Sequence, residues 1–426
     1  MSVTQAPAPE VLPEVHIIPP VPRLVKVLIG LGVFAIVVFG FFTPTGEDVT
    51  FQLTLGDEAL ALPDVTLPAK ISAIVFSVLA LLSALGAMWA SRKEKAQWPF
   101  TSAFGVFFVL GFLAWAVAGA TINLVGLLQG SLLLAVPLVF GSMSGVLCER
   151  AGVINIAIEG QLLTGAFVAA VVASLTQNAY LGLIAAPLGG LFIGLLLAVF
   201  AIKYFVDQVI LGVVLNVLAV GLTSFFYGRL LAPNQETWNS PPTFTPVAIP
   251  VLSDIPILGP ILFNQNIVVY LMYIVVIVIN VALFRTKWGL RVRAVGEHPT
   301  AADTVGIKVN SVRFRNVLLG GMVAGLGGAF FTVASVGAFG KEMTAGKGFI
   351  ALAALIFGRW KPLGALAAAL FFGFADNLQS VLSIIGTPIP SEFMLMTPYL
   401  ATLLAVAGLV GKVRAPAADG IPYKKS

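Results

Sequence analysis

A single cysteine, Cys148, stands among 426 residues, so no disulfide can close within the chain. The two histidines have no cysteine or carboxylate cluster beside them, which leaves no metal-ligand spacing, and no bound metal or cofactor is expected. Charge is scarce as well: Asp, Glu, Lys and Arg make up 10% of the chain, against about a quarter of an ordinary soluble domain. A phosphate-binding loop is also missing. The segment GAFGKEMTAGKG has a similar look, but Gly340 to Gly346 holds one residue too many, and Lys347 is followed by Gly348 in place of Ser or Thr. A process driven by ATP would therefore need a separate ATPase polypeptide.

What fills the chain is apolar: 58% of its residues are hydrophobic. Runs of about 18 or more such residues recur from Val25 to Ala407, each long enough to cross roughly 30 Å of hydrocarbon as a helix and too unpatterned for barrel strands. The fold class is all-α, a polytopic integral membrane protein of roughly ten to twelve transmembrane segments, some of them interrupted. The leader MSVTQAPAPEVLPEVHIIPPVPR shows no small-residue cleavage site, so the first run is expected to stay as a membrane helix. The net charge of +5 reports which loops remain in the cytoplasm and does not point to nucleic acid.

Loop charges set an expected organisation. Residues 1–24 form a cytoplasmic Pro-rich tail, residues 25–120 hold the first spans around an acidic outer loop at 43–70, and residues 121–411 form the main membrane core. The core carries an outer loop at 232–266 and a basic cytoplasmic block at 285–316, and residues 412–426 return to the cytoplasm, so both termini lie inside. Within the basic block Pro299 suits a first helical position. Thr300, Ala301, Ala302 and Asp303 follow as small helix-compatible residues, and Gly306 suits the position just past the end. A helix of two turns is not stable alone in water, so this one must rest on the chain or on a partner.

The polar groups inside apolar sequence are few. In ERAGVINIAIEG, residues 149–160, the pair Glu149 and Arg150 reads either as a structural charge pair at a helix end or as groups with a direct role. Asn155 and Glu159 stand four apart, which on a helix places them on one face, with Gln161 just beyond. Gly160 allows a break there, and broken helices at membrane depth line cavities. Asp376, Asn377 and Gln379 form a second polar knot beyond the interruption GRWKP, and Asn216, Gln208 and Thr223 are weaker candidates. The small-residue run GGMVAGLGG allows close approach of helix backbones.

Three stretches, ERAGVINIAIEGQLLTGAF, WGLRVRAVGEHPTAADTVGIKV and GKGFIALAALIFGRWKPLGALAAALFFGF, carry a resemblance. They are similar in order and content, over about residues 125–411, to the membrane permease subunit of bacterial ABC importers for nucleosides and simple sugars. That family is related to the ribose and branched-chain amino-acid permeases. The resemblance implies a type II importer permease fold in the bacterial plasma membrane. It implies an ATPase dimer that uses ATP and docks on a coupling helix, matched here by Glu297, His298, Pro299 and the residues on to Gly306. It further implies a second permease subunit and an extracellular substrate-binding lipoprotein, and the ERAGVINIAIEG form resembles subunits that work beside a non-identical permease. The residues up to about 120 exceed the family's usual pattern. The substrate path is then expected at Asn155, Glu159, Gln161, Asn216, Asp376 and Asn377. A rival reading is a secondary transporter in which Glu159 or Asp376 takes up a coupled proton. An enzyme is not expected, because no cluster of histidine, carboxylate and nucleophile shares one face.

Overall fold

The structure is a computed structural model that describes residues 21–56, 61–386, 396 and 414–425. Among the described residues ten helices are long and apolar enough to cross a membrane. The span expected near residues 394–410 lies outside the described residues.

The chain divides into two compact units. The first comprises Met1–Val49 and Leu67–Gly119 and contains α1 (Arg23–Phe42), α2 (Ala69–Arg92) and α3 (Trp98–Ala116). Its packing surface on α2 is a stripe of small residues, Ala73, Ser77, Ala80, Ala84 and Ala87, all fully buried. Their spacing of three and four residues keeps them on one helical face, and their size brings the helices close. Aromatic rings fill the remaining space: Phe39 stacks on Trp115 and meets Phe108 and Phe112 edge-on.

The second unit comprises Thr50–Thr66 and Ala120 onward. Its helices are α4 (Leu124–Glu149), α5 (Ile158–Thr176), α6 (Ala179–Ala198), α7 (Gln208–Phe226), α8 (Gln235–Trp238), α9 (Ile267–Arg285), α10 (Lys287–Glu297), α11 (Pro299–Thr304), α12 (Val309–Phe331), α13 (Lys347–Phe357) and α14 (Pro362–Ile385). Three of them, α6, α7 and α12, continue into a π-helical turn. Short pairings also occur, parallel between Thr50–Gln52 and Thr121–Asn123 and antiparallel between Val247–Ala248 and Asn264–Gln265.

Glycine decides how the core of this unit packs. A Cβ on Gly190 of α6 would lie 2.1 Å from the Gly321 carbonyl oxygen, and one on Gly165 of α5 would lie 2.2 Å from that of Gly325. The run GGMVAGLGG of α12 therefore sets three backbones in direct contact, the small-residue packing that membrane helices use in place of a hydrophobic drive. Outward faces carry exposed Ile184, Val217 and Ile277, suited to lipid.

In the basic block, α11 starts at Pro299, and Gly306 follows it with φ +85°. Two features differ from the expectation. Glu297 ends the preceding helix α10, and His298 stands between the two helices, so the short helix is narrower than residues 297–306. The helix α10 itself was hidden by its basic sequence, although its buried residues Gly289, Val292, Val295 and Gly296 keep a helical spacing.

Candidate functional site

The first of two helix interruptions lies between Glu149, where α4 ends, and Ile158, where α5 begins. Asn155 sits in this irregular stretch, so it does not share a helical face with Glu159, and Gly160 belongs to the first turn of α5 and does not form the break. The turn out of α4 passes through Gly152 with φ +87°, a conformation that suits glycine. Backbone groups that leave a helix and are shut away from water must be satisfied by the protein. Two side chains of α7 do this: Gln208 Oε1 accepts the Ile154 N–H at 2.7 Å, and Asn216 Nδ2 donates to the Ile156 carbonyl at 2.9 Å. Asn216 Oδ1 also accepts the Gly160 N–H at 2.8 Å. Asn155 Nδ2 donates to Ser144 Oγ and to Gln161 Oε1, each at 3.0 Å, and all three residues are completely buried. These amides hold the break in place.

The second interruption runs from the end of α12 to α14 and contains the half-length helix α13. Glu159 reaches across to its N-terminus. Oε1 accepts the Thr344 hydroxyl at 2.6 Å and the Gly346 N–H at 2.8 Å, and Oε2 accepts the Gly348 N–H at 2.6 Å. A helix N-terminus carries partial positive charge and unpaired N–H groups, so it favours a carboxylate. The segment that looks like a phosphate loop thus cradles a carboxylate of its own chain. Gly348 is required by this approach, since a Cβ there would lie 2.4 Å from the Glu159 nitrogen. Lys347, the first residue of α13, forms an ion pair with Asp376 on α14. The first residues of α13 thus meet both Glu159, through Thr344, Gly346 and Gly348, and Asp376, through Lys347. Asn377 does not join them: its Nδ2 donates to the Leu127 carbonyl of α4 at 2.7 Å.

The turn between α13 and α14 explains Glu149 and Arg150. Arg359 and Trp360 are consecutive non-glycine residues with φ of 57° and 53°, a left-handed backbone that costs on the order of 1–3 kcal/mol per residue. Arg150 Nε donates to the Trp360 carbonyl at 2.8 Å, and the Trp360 indole donates to Glu149 Oε2. The two charged residues grip Trp360 and do not pair with each other, which replaces the charge-pair expectation. Spacing alone did not disclose Thr344, Lys347 or Trp360, whose partners lie far away in sequence, nor Ser144, whose partners Asn155 and Gln161 stand across the break; the one signal was Lys347, a cation heading an apolar run.

Residues 127–410 match the family described as "Branched-chain amino acid transport system / permease component". The chain is 41% identical over 309 residues to the guanosine ABC transporter permease protein NupQ of Bacillus subtilis (strain 168), spanning 70% of this chain and 96% of that one. It is 40% identical over 319 residues to the nucleoside ABC transporter permease protein NupC of Lactococcus lactis subsp. cremoris, spanning 71% and 99%. A second Bacillus subtilis protein, the guanosine ABC transporter permease protein NupP, is 26% identical over 301 residues, spanning 66% and 83%. No solved structure matches the chain. A family match over more than half of the sequence, an ordered set of membrane helices and relatives aligned along nearly their whole lengths lead to one conclusion: the chain belongs to the branched-chain amino acid transport system permease family, as a membrane-embedded permease of the ABC type.

Proposed function

We propose that this chain is one permease subunit of an ABC importer for nucleosides in a bacterial plasma membrane, with both termini in the cytoplasm. The observation that carries the reading is the 41% identity to NupQ, which extends over 96% of that protein and so is not confined to one motif. The geometry agrees with it. The start of the short helix α13 meets Glu159 through Thr344 and Asp376 through Lys347, and a polar solute crossing a membrane needs such groups where backbone and side chains replace its water. Lys347 and Asp376 compensate each other, and Glu159 rests on a helix N-terminus, which suits a cargo bound through hydroxyls and ring nitrogens more than through net charge. Glu159 and Asp376 lie by the path, with Asn155, Gln161 and Asn216 as the support behind it and Asn377 as a tie to α4.

The chain binds no cofactor in this reading, and ATP is used by an ATPase dimer that meets the membrane subunits at α11. The second permease is a related, non-identical chain. Support comes from Bacillus subtilis, where NupQ and NupP are both named as guanosine permeases and resemble this chain to different degrees. A substrate-binding lipoprotein delivers the cargo outside, and no nucleic acid is involved.

In cells without nucleoside uptake of their own, co-expression of the full set of subunits is expected to give accumulation of radiolabelled guanosine that excess unlabelled nucleosides suppress and glucose does not. Suppression by glucose alone would overturn the nucleoside assignment.

A further inference from the structure

Residues 414–425 lie across the basic block. The Ala418 N–H donates to the Gly296 carbonyl at 2.9 Å, and the Ala417 N–H donates to Glu297 Oε2 at 3.2 Å. The guanidinium of Arg313, a residue 2% exposed on α12, donates to the carbonyls of Ile421 at 2.7 Å and Ala418 at 3.4 Å. Tyr423 is buried in one apolar cluster with Val295 of α10, Ala302 of α11 and Val309 of α12. The other edge of the segment meets the first interruption: a Cβ on Gly420 would lie 2.7 Å from Ile154 Cδ1, and one on Gly152 would lie 3.0 Å from the Ala418 carbonyl oxygen. The same twelve residues therefore touch both the short helix and the break at 150–157.

We propose that residues 417–423 form a positioning strap, anchored by Arg313 and Tyr423, that links the coupling helix α11 to the interrupted segment 150–157 and so carries movement at the ATPase face to the substrate path. The proposal rests on the reading of α11 as the ATPase contact. A six-residue helix has too few internal hydrogen bonds to hold its own position, and Tyr423 supplies a packing surface beneath Ala302. A buried guanidinium is costly unless its N–H groups are bonded; the strap's carbonyls bond Nη1 and Nη2, while Nε has no partner, so strap and α12 are tied by more than apolar contact. Coupling between distant sites runs through contiguous elements of this kind.

Asp419 gives the strap a pH signature. It faces Glu149 and the Cys148 thiol from α4 and Arg313 from α12. Burial raises its carboxyl, and with the hydrogen bond to Glu149, the Arg313 charge and the Gly420 N–H acting against that rise, it comes to about 7. A carboxyl raised in the bound state favours attachment most fully below the usual carboxylate range, and that contribution is lost as pH rises through about 7.

The test uses the assembled transporter in proteoliposomes, comparing wild type with Tyr423→Ala, Tyr423→Phe and Arg313→Gln. Expected is normal capture of the ATPase in all four, uptake per ATP hydrolysed lowered roughly tenfold or more in Tyr423→Ala and Arg313→Gln, and near-normal uptake in Tyr423→Phe. Protease cleavage within the strap should rise as pH goes from about 4 to about 7 in wild type, level off above about 7, and lose that dependence in Asp419→Asn. Failure of wild-type protein to capture the ATPase would overturn the underlying reading of α11. Normal capture with unchanged uptake per ATP in both Tyr423→Ala and Arg313→Gln would overturn the strap alone. Less folded protein with unchanged uptake per folded molecule would do the same, because it marks a purely structural role.

Discussion

Replacement of Glu159 with Leu is expected to lower nucleoside uptake per inserted molecule by roughly two orders of magnitude. The carboxylate is the acceptor for three donors, the Thr344 hydroxyl and the N–H groups of Gly346 and Gly348. The Thr344 and Gly348 donors are buried and the Gly346 N–H is part-buried; each buried donor left without a partner costs about 1–3 kcal/mol, so the segment loses about 2–6 kcal/mol of its hold. The helix it starts, α13, has only 11 residues and cannot restore that from its own hydrogen bonds. The segment around residues 344–348 should then leave its place and take Lys347 away from Asp376. Gln is expected to fall between wild type and Leu: its carbonyl keeps the Thr344 and Gly346 bonds, but its NH2 group turns toward the Gly348 N–H, donor against donor. Uptake normalised to inserted protein measures this. A proton-binding role would make Gln as inactive as Leu, and full activity in Glu159→Leu would remove the residue from the path.

The second large effect is expected at the ATPase face. Ala302 is 3% exposed and packs within its own chain, so a bulky residue there would disturb the strap before it met any partner. Ala301 is exposed on the same short helix, and Val305 just beyond it is 76% exposed. An apolar residue that protrudes from a basic loop suits an interface that another subunit completes. The double change Ala301→Trp and Val305→Asp places bulk and an unpaired charge in that contact, costing about 2–5 kcal/mol. The permease should insert normally and capture at least tenfold less ATPase. Wild-type capture would show that α11 is not the docking element.

Much of this arrangement is legible in the sequence. The first span, expected over residues 25–42, is Arg23–Phe42, because apolar length alone identifies a helix that must satisfy its backbone in lipid. Pro299 and Gly306 disclosed α11 through local stereochemistry. The resemblance over about residues 125–411 coincides with the family match at 127–410. What stayed hidden depends on distant partners. Nothing near Glu159 tells that Gly346 and Gly348 donate to it across almost two hundred residues, nor that Asn216 satisfies the break before α5. The expectation of Asn155 and Glu159 on one face failed for the same reason: four-residue spacing has its helical meaning only where the helix is unbroken, and Asn155 lies in the interruption.

The central claim is that this permease moves its cargo with energy from a separate ATPase and not from a proton gradient. The direct measurement is radiolabelled nucleoside uptake into proteoliposomes that hold the complete transporter, with ATP enclosed on the α11 side and the proton gradient set independently. Uptake should follow the enclosed ATP, stop when the ATPase subunit is hydrolysis-dead, and ignore the gradient. Uptake that follows the imposed gradient and persists with the dead ATPase would contradict the account.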